Sequence, residues 1–441
     1  MKKRFTSLLL VLLLFLQIVP TASAASFPDV PKSYWAYSEI CEMADRGVIQ
    51  GNGGKFDPAG DVSRQAFLSM VCRATGLDDR NLEAGANWWQ PSQAYAHYFN
   101  WCTEEEVNEG NRSQPITREL AAKLLVKAFA PDRVTDGGAL SFQDSADIGS
   151  DYRIYVKTAA ELGLIGGYTD GTFRPRATLT RAAAAVLISR AMAMQGEPVV
   201  GETVQVPILM YHDVSYLGYG YSKTPEIFRK QMEELKNAGF HTVFFSQVID
   251  FVEKGTPLPS KPIVITFDDG YLTNYTYVFP ILQELNMKAE ISLIGNAIRY
   301  ANWGMEWDHV REMQESGLVH FQAHTTALHD APGRTGVLKK AEESWRDYVT
   351  LFAEDTRNIR GTIAYQTGKD PQVFTYPLGK HNPMTEAIIR QMGFQVSLTT
   401  LDGVAKVTRG NPESLYLMKR IGMDFRNGNV LPILKQFGYE G

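Results

Sequence analysis

At 441 residues, with 44% of them hydrophobic and 21% charged, the chain has the composition of folded globular protein and room for two or three domains. The three cysteines, Cys41, Cys72 and Cys102, all fall in the N-terminal third, and an odd number cannot pair fully within one chain. Either Cys41 and Cys72 form a disulfide or all three are small buried residues on helices.

The chain opens with a basic MKKRF, an apolar SLLLVLLLFLQIV and the small-residue stretch PTASA, the layout of a signal peptide over residues 1–24. Losing it takes the formal charge from −5 to −8 and leaves no basic run that could track a nucleic-acid backbone. No later stretch approaches 18 apolar residues, so the mature chain is expected to be exported and soluble, with no membrane span.

Three related stretches follow, over 27–80, 87–135 and 141–192. Each has an aromatic near its start, an apolar helix, a connecting stretch, and a Ser-Arg or Thr-Arg pair opening a second apolar helix: Ser63-Arg64, Thr117-Arg118 and Thr180-Arg181. The hydroxyl residue is placed to cap the helix, because its oxygen can accept an unpaired N–H of the first turn. With FPDV at the start of the first copy and DGTFRP in the third, the region resembles the S-layer homology (SLH) domain, a helical module found in threes. The resemblance implies binding to secondary polymers of bacterial cell walls, through Arg64, Arg118 and Arg181. A guanidinium at a helix start forks readily onto anions. The middle copy lacks the FxP turn, so its groove is expected to be the weakest.

Residues 193–205 read as a linker rich in Gly, Pro and charge. Over 206–441, strand-like runs (PILMYH, TVFFS, IVITFDD, AEISLIG, VHFQAH, VFTYP, QVSLTT) alternate with amphipathic helical patterns. That alternation predicts an α/β domain, a parallel sheet closed as a (β/α) barrel, behind an all-α repeat domain. The active site of such a barrel lies at the C-terminal strand ends. Those ends carry Tyr211-His212-Asp213, Asp268-Asp269-Gly270, the HTTALH stretch 324–329, and Tyr376-Pro377-Leu378-Gly379.

Two adjacent carboxylates repel unless a cation or proton compensates one of them. His324 and His329, five apart, would point about 140° from each other on a helix, so if both bind one metal they do so from a loop. One carboxylate with two imidazoles leaves positions open for water and substrate, as in a hydrolytic metal site.

TFDDG, HTTALH and YPLGK resemble the first motifs of the polysaccharide deacetylases, carbohydrate esterase family 4, which have a distorted (β/α) barrel. The resemblance implies Asp268 as general base, Asp269, His324 and His329 as metal ligands, and Tyr376, Pro377 and Leu378 as the oxyanion and substrate segment. The Leu378 N–H would face the oxyanion. The histidine spacing matches a branch that begins its domain with YHD and uses that histidine as the acid, here His212. One departure is Thr375, where the family often has an arginine that orients the base; the other is the missing late Leu-x-x-His. The implied cofactor is a divalent metal, zinc first, with cobalt, nickel or manganese fitting the same ligands.

The expected activity is wall-anchored, metal-dependent N-deacetylation of an N-acetylglucosamine-containing glycan, peptidoglycan or another surface polysaccharide. O-acetyl esterase action on xylan and a non-catalytic surface-binding role are the alternatives left open.

Overall fold

The computed structural model describes residues 26–440 apart from 84, 135–139, 197–200 and 218–221. The expected signal peptide lies outside the described residues, as does part of the expected linker. Among the described residues no helix is long and apolar enough to cross a membrane.

Six helices build the N-terminal region: α1 (Tyr37–Asp45), α2 (Arg64–Ala74), α3 (Gln90–Tyr98), α4 (Arg118–Phe129), α5 (Arg153–Glu161) and α6 (Arg181–Ala193). Ser63, Thr117 and Thr180 cap α2, α4 and α6, their oxygens accepting from the N–H groups of Ala66, Leu120 and Ala183. The residue before each cap pairs with the next copy: Ile116 N–H donates to Val62 O, Leu179 N–H to Ile116 O, and Val62 N–H to Leu179 O, at 2.9, 3.3 and 3.0 Å. These three bonds close a cycle, and each copy supplies one donor and one acceptor to it.

The helix-start arginines reinforce the same cycle. Arg118 donates through Nε to Phe173 O (2.8 Å) and Nη2 to Gly166 O (2.6 Å). Arg181 repeats the pattern on Phe56 O and Gln50 O, both at 2.7 Å, and Arg64 donates to Glu106 O at 2.8 Å. In the outer copies Asp29 and Asp144 each accept two backbone N–H groups of the FDP and FRP turns. That bonding explains why the aspartate and the turn recur together. All three cysteines are buried free thiols, so no Cys41–Cys72 disulfide forms.

Seven parallel strands make the barrel: β1 (Ile208–Tyr211), β2 (Pro262–Phe267), β3 (Ala289–Leu293), β4 (Val319–Ala323), β5 (Val373–Thr375), β6 (Val396–Asp402) and β7 (Met418–Gly422). Order around the barrel is β1-β7-β6-β5-β4-β3-β2, and β2 pairs back on β1 to close it. Two details differ from the sequence reading. The TVFFS run gives only a two-residue edge strand, His241–Thr242, because the helix Phe245–Lys254 starts almost at once. The seventh strand is β7, whose apolar pattern is broken by Lys419-Arg420 and which the alternation did not show.

The two regions pack directly on each other. Helix α3 of the middle copy lies along the 23-residue helix Trp345–Thr367. Tyr95 donates to Ala387 O (3.2 Å), Tyr98 to Glu354 (2.8 Å), and Trp345 Nε1 to Glu83 (2.8 Å).

Arg118 is buried and donates to two carbonyls, so Arg118→Ala strands both acceptors and leaves a void. The expected loss is about 2–4 kcal/mol in urea unfolding. A change below about 0.5 kcal/mol would show that the arginine does not brace the ring.

Candidate active site

The mouth is assembled at the C-terminal ends of β1, β2, β4, β5 and β7. Asp268 and Asp269 follow β2. The Asp268 N–H donates to Tyr211 O (2.9 Å), which sets Asp268 beside the end of β1 and hence His212. Asp269 adopts φ +74°, an uncommon conformation for a residue with a side chain, and turns its carboxylate away from that of Asp268. Gly270, at φ +80°, allows the turn to lie flat: a Cβ there would meet Leu293 Cδ2 at 2.7 Å.

The two carboxylates are compensated differently. Arg420 from β7 is fully buried and forks onto Asp268, Nη1 to Oδ1 at 2.8 Å and Nη2 to Oδ2 at 2.7 Å, while its Nε donates to Thr399 O. Burial alone would raise the Asp268 carboxyl, but the charge and hydrogen bonds of Arg420 hold it well below the usual carboxylate range. Thr375, at the position where the family resemblance led us to expect an arginine, orients an imidazole instead: its carbonyl accepts from His324 Nδ1 at 2.7 Å.

Asp269 faces the imidazoles. Its Oδ1 lies 3.5 Å from His324 Nε2 and 3.4 Å from His329 Nε2, and candidate ligand atoms of the three residues lie within 4.8 Å of one another. That Oδ1 is buried and accepts no hydrogen bond among the described residues. With Nδ1 of His324 donating to a carbonyl, its Nε2 carries the lone pair. Burial, then the neighbouring His324, lowers the His329 imidazole and favours the neutral form a ligand needs. A buried, bare carboxylate oxygen between two such nitrogens fits a divalent cation.

The loop HTTALH makes this possible without a helix. His324 N–H donates to Leu293 O, Thr325 takes φ +72°, and Gly295 and Asn296 N–H groups bond Thr325 O and Thr326 O. The chain curls, and the His324 and His329 rings come to 4.9 Å between centroids.

His212 presents Nε2 toward the mouth, 4.0 Å from Asp268 Oδ2, and its Nδ1 lies 2.8 Å from Asp424 Oδ2. Asp424 also accepts the His212 N–H at 3.1 Å. Burial disfavours the imidazolium, yet the Asp424 hydrogen bond and the charges of Asp268 and Asp424 push its pKa up to about 9. Leu378 is 56% exposed at φ +56°, the second residue of a one-turn helix that Pro377 opens without an N–H of its own. Tyr376 and Pro377 of the same segment are buried.

Arg420 and Asp424 escaped the sequence reading. The run YLMKRIGMD ends an apolar strand on an aspartate, as YHD and TFDD do, and the Lys-Arg pair disguised it. Tyr216, Leu217, Leu378, Leu401 and Phe425 are exposed on the segments after or ending β1, β5, β6 and β7, four strands that are neighbours in the barrel.

Residues 255–397 match the polysaccharide deacetylase family model. This region is a polysaccharide deacetylase domain. Residues 26–68 and 141–185 match the S-layer homology domain, the outer two of the three copies. YxkH of Bacillus subtilis is 26% identical over 219 residues, 49% of this chain and 71% of its own. The poly-β-1,6-N-acetyl-D-glucosamine N-deacetylase of Escherichia coli K12 is 30% identical over 210 residues, 41% of this chain and only 31% of that enzyme. Among solved structures, a de-N-acetylase from Aggregatibacter actinomycetemcomitans aligns at 25% identity with a TM-score of 0.47, covering 53% of this chain and all of that one.

Two outcomes test the deacetylase site. Arg420→Met leaves Asp268 charged and unpaired, so it should cost about 3–5 kcal/mol at pH 7. Because the Asp268 pKa is depressed in the folded protein, the stability from the pair is present above the unfolded value of about 3.9 and lost as pH falls below it. The variant's deficit in urea unfolding should therefore shrink toward acid pH; a deficit independent of pH contradicts the pairing. Asp424→Asn removes a partner that raises His212, so any activity limb set by loss of the His212 proton should move to lower pH than in the wild type. An unmoved alkaline limb in a pH–rate profile rules His212 out as the titrating group.

Proposed function

We propose that the protein is an exported, wall-anchored N-deacetylase acting on a glycan of N-acetylglucosamine units, releasing acetate and a free amine. The observation that carries this reading is the pairing of one bare carboxylate and two imidazoles with a separately compensated carboxylate and a carboxylate-backed histidine at one mouth. The E. coli relative is an N-deacetylase of an N-acetylated polymer, which favours the amide over the xylan ester.

Asp269, His324 and His329 would hold a divalent cation, zinc first, which when bound polarises the acetyl carbonyl and acidifies the attacking water enough for a weak base to serve. Asp268 is that base. Ionised across the neutral range by Arg420, it keeps lone pairs outside the fork to take the water's proton. His212, protonated below about pH 9 and oriented by Asp424, gives a proton from Nε2 to the leaving amine. The Leu378 N–H is the donor for the oxyanion; such a donor is worth about 2.7–4 kcal/mol. Exposed Tyr216, Leu378 and Phe425 suit the C–H faces of uncharged sugar rings.

The repeats supply the address. Arg64, Arg118 and Arg181 are our candidates for an anionic wall polymer, although each also donates to its neighbouring copy. Arg64 makes one such bond where the others make two, which leaves it the most donors. The signal-like N-terminus supports export, and the SLH matches support attachment at the cell surface.

Acetate release from poly-β-1,6-N-acetylglucosamine and from chitooligosaccharides is the direct test. Release should disappear on chelation, return with zinc, and fall at least about 10³-fold in Asp268→Asn. Chelator-resistant turnover, or turnover greater on acetylxylan than on the amide polymers, would overturn the assignment.

A further inference from the structure

Helix Trp345–Thr367 has two consecutive residues doing different jobs. Glu354, exposed, accepts the Tyr98 hydroxyl of the middle repeat at 2.8 Å. Asp355, buried, turns the other way and accepts two backbone N–H groups of the histidine loop, Thr326 N–H on Oδ1 at 2.8 Å and Ala327 N–H on Oδ2 at 2.7 Å. The Thr326 hydroxyl adds a third tie, to Asp355 O at 2.7 Å. These bonds fall on residues between His324 and His329, whose separation decides whether both Nε2 atoms face Asp269. Adjacent residues on a helix project about 100° apart, which is why one helix can face the repeat module and the loop together.

We propose that Asp355 is a positioning residue for the metal-ligand loop, and that the middle repeat holds the helix carrying it. This rests on the metal reading of Asp269, His324 and His329 given above. Without the two acceptors, the N–H groups of half-buried Thr326 and exposed Ala327 turn to water, and the curl that converges the two imidazoles loses its anchor. The middle copy is a docking face: α3 meets the catalytic domain through Tyr95 and Tyr98, in the copy that lacks the FxP turn of the outer two, and Glu83, just ahead of that copy, adds its bond to Trp345.

Zinc affinity of the full chain, measured by competition with a chromophoric chelator, reads this directly, alongside thermal melting of the metal-free protein. Asp355→Asn keeps the shape and one acceptor but turns an amide N–H₂ toward a backbone donor; zinc binding should weaken about 10–100-fold, the range for partners that orient metal ligands. Thr326→Val, which removes only the hydroxyl tie, should weaken it about threefold to tenfold with little change in metal-free melting. It also stands in if Asp355→Asn does not melt cooperatively. Tyr98→Ala, which removes the middle copy's bond to Glu354 and its ring beneath Arg357, should weaken zinc binding at least about threefold by the same loosening of the helix. Affinities within twofold of wild type in Asp355→Asn, or in Thr326→Val where that variant stands in, overturn the positioning role. An unchanged Tyr98→Ala overturns the support from the middle repeat. Wild-type protein that binds no zinc or other divalent ion overturns the metal reading itself, and this inference with it.

Discussion

Asp268 and Asp269 are consecutive, buried and both needed in the charged form, and the rest of the catalytic domain is arranged around that conflict. Two neighbouring carboxylates in a low-dielectric mouth would ordinarily share a proton. Here Asp268 has its own cation on another strand, and Asp269 is turned away from it into a separate group with two imidazoles. Arg420 reaches from β7 to Asp268, and the left-handed φ of Asp269 swings the second carboxylate toward the imidazoles beyond β4. The split gives two carboxylates different chemistry from almost the same place in the chain. The Arg420 fork also keeps Asp268 ionised at the cost of basicity.

The repeat region solves a related problem of incompleteness. No single copy can satisfy the backbone groups ahead of its second helix, and the cyclic bonds through Val62, Ile116 and Leu179 are completed only when three copies meet. The arginines that would serve a polymer also hold this ring together, which ties anchoring to folding. Through α3 the ring extends its contacts to helix Trp345–Thr367, so the anchor and the catalytic domain share a packed interface.

Much of this was legible in the sequence, for definable reasons. The strand-ending motifs YHD, TFDD and HTTALH were visible because packing alone seldom calls for a polar cluster directly after an apolar run. The barrel followed from alternation, and the caps from Ser63, Thr117 and Thr180. What escaped depends on long-range convergence: Arg420 lies about 150 residues from Asp268 and points inward from a strand whose Lys-Arg pair looks like surface. Asp355 sits in a helical pattern where an acidic residue reads as solvated. Within the YPLGK motif the sequence also does not show that Tyr376 and Pro377 are buried while Leu378 is exposed.

The thiols of the repeat region have a consequence for the chain's chemistry outside a reducing compartment. Burial pushes Cys72 well above the ordinary thiol range and Cys102 up to about 12. Exchange with a disulfide requires the thiolate, and a group near 12 is ionised in only about one molecule in ten thousand at pH 8. The folded module is thus unreactive at Cys72 and Cys102 toward oxidants that act through the thiolate, and mispairing at these residues is confined to the time before the helices pack. The hydrophobic core serves as a protecting group, applied by folding and removed only by unfolding.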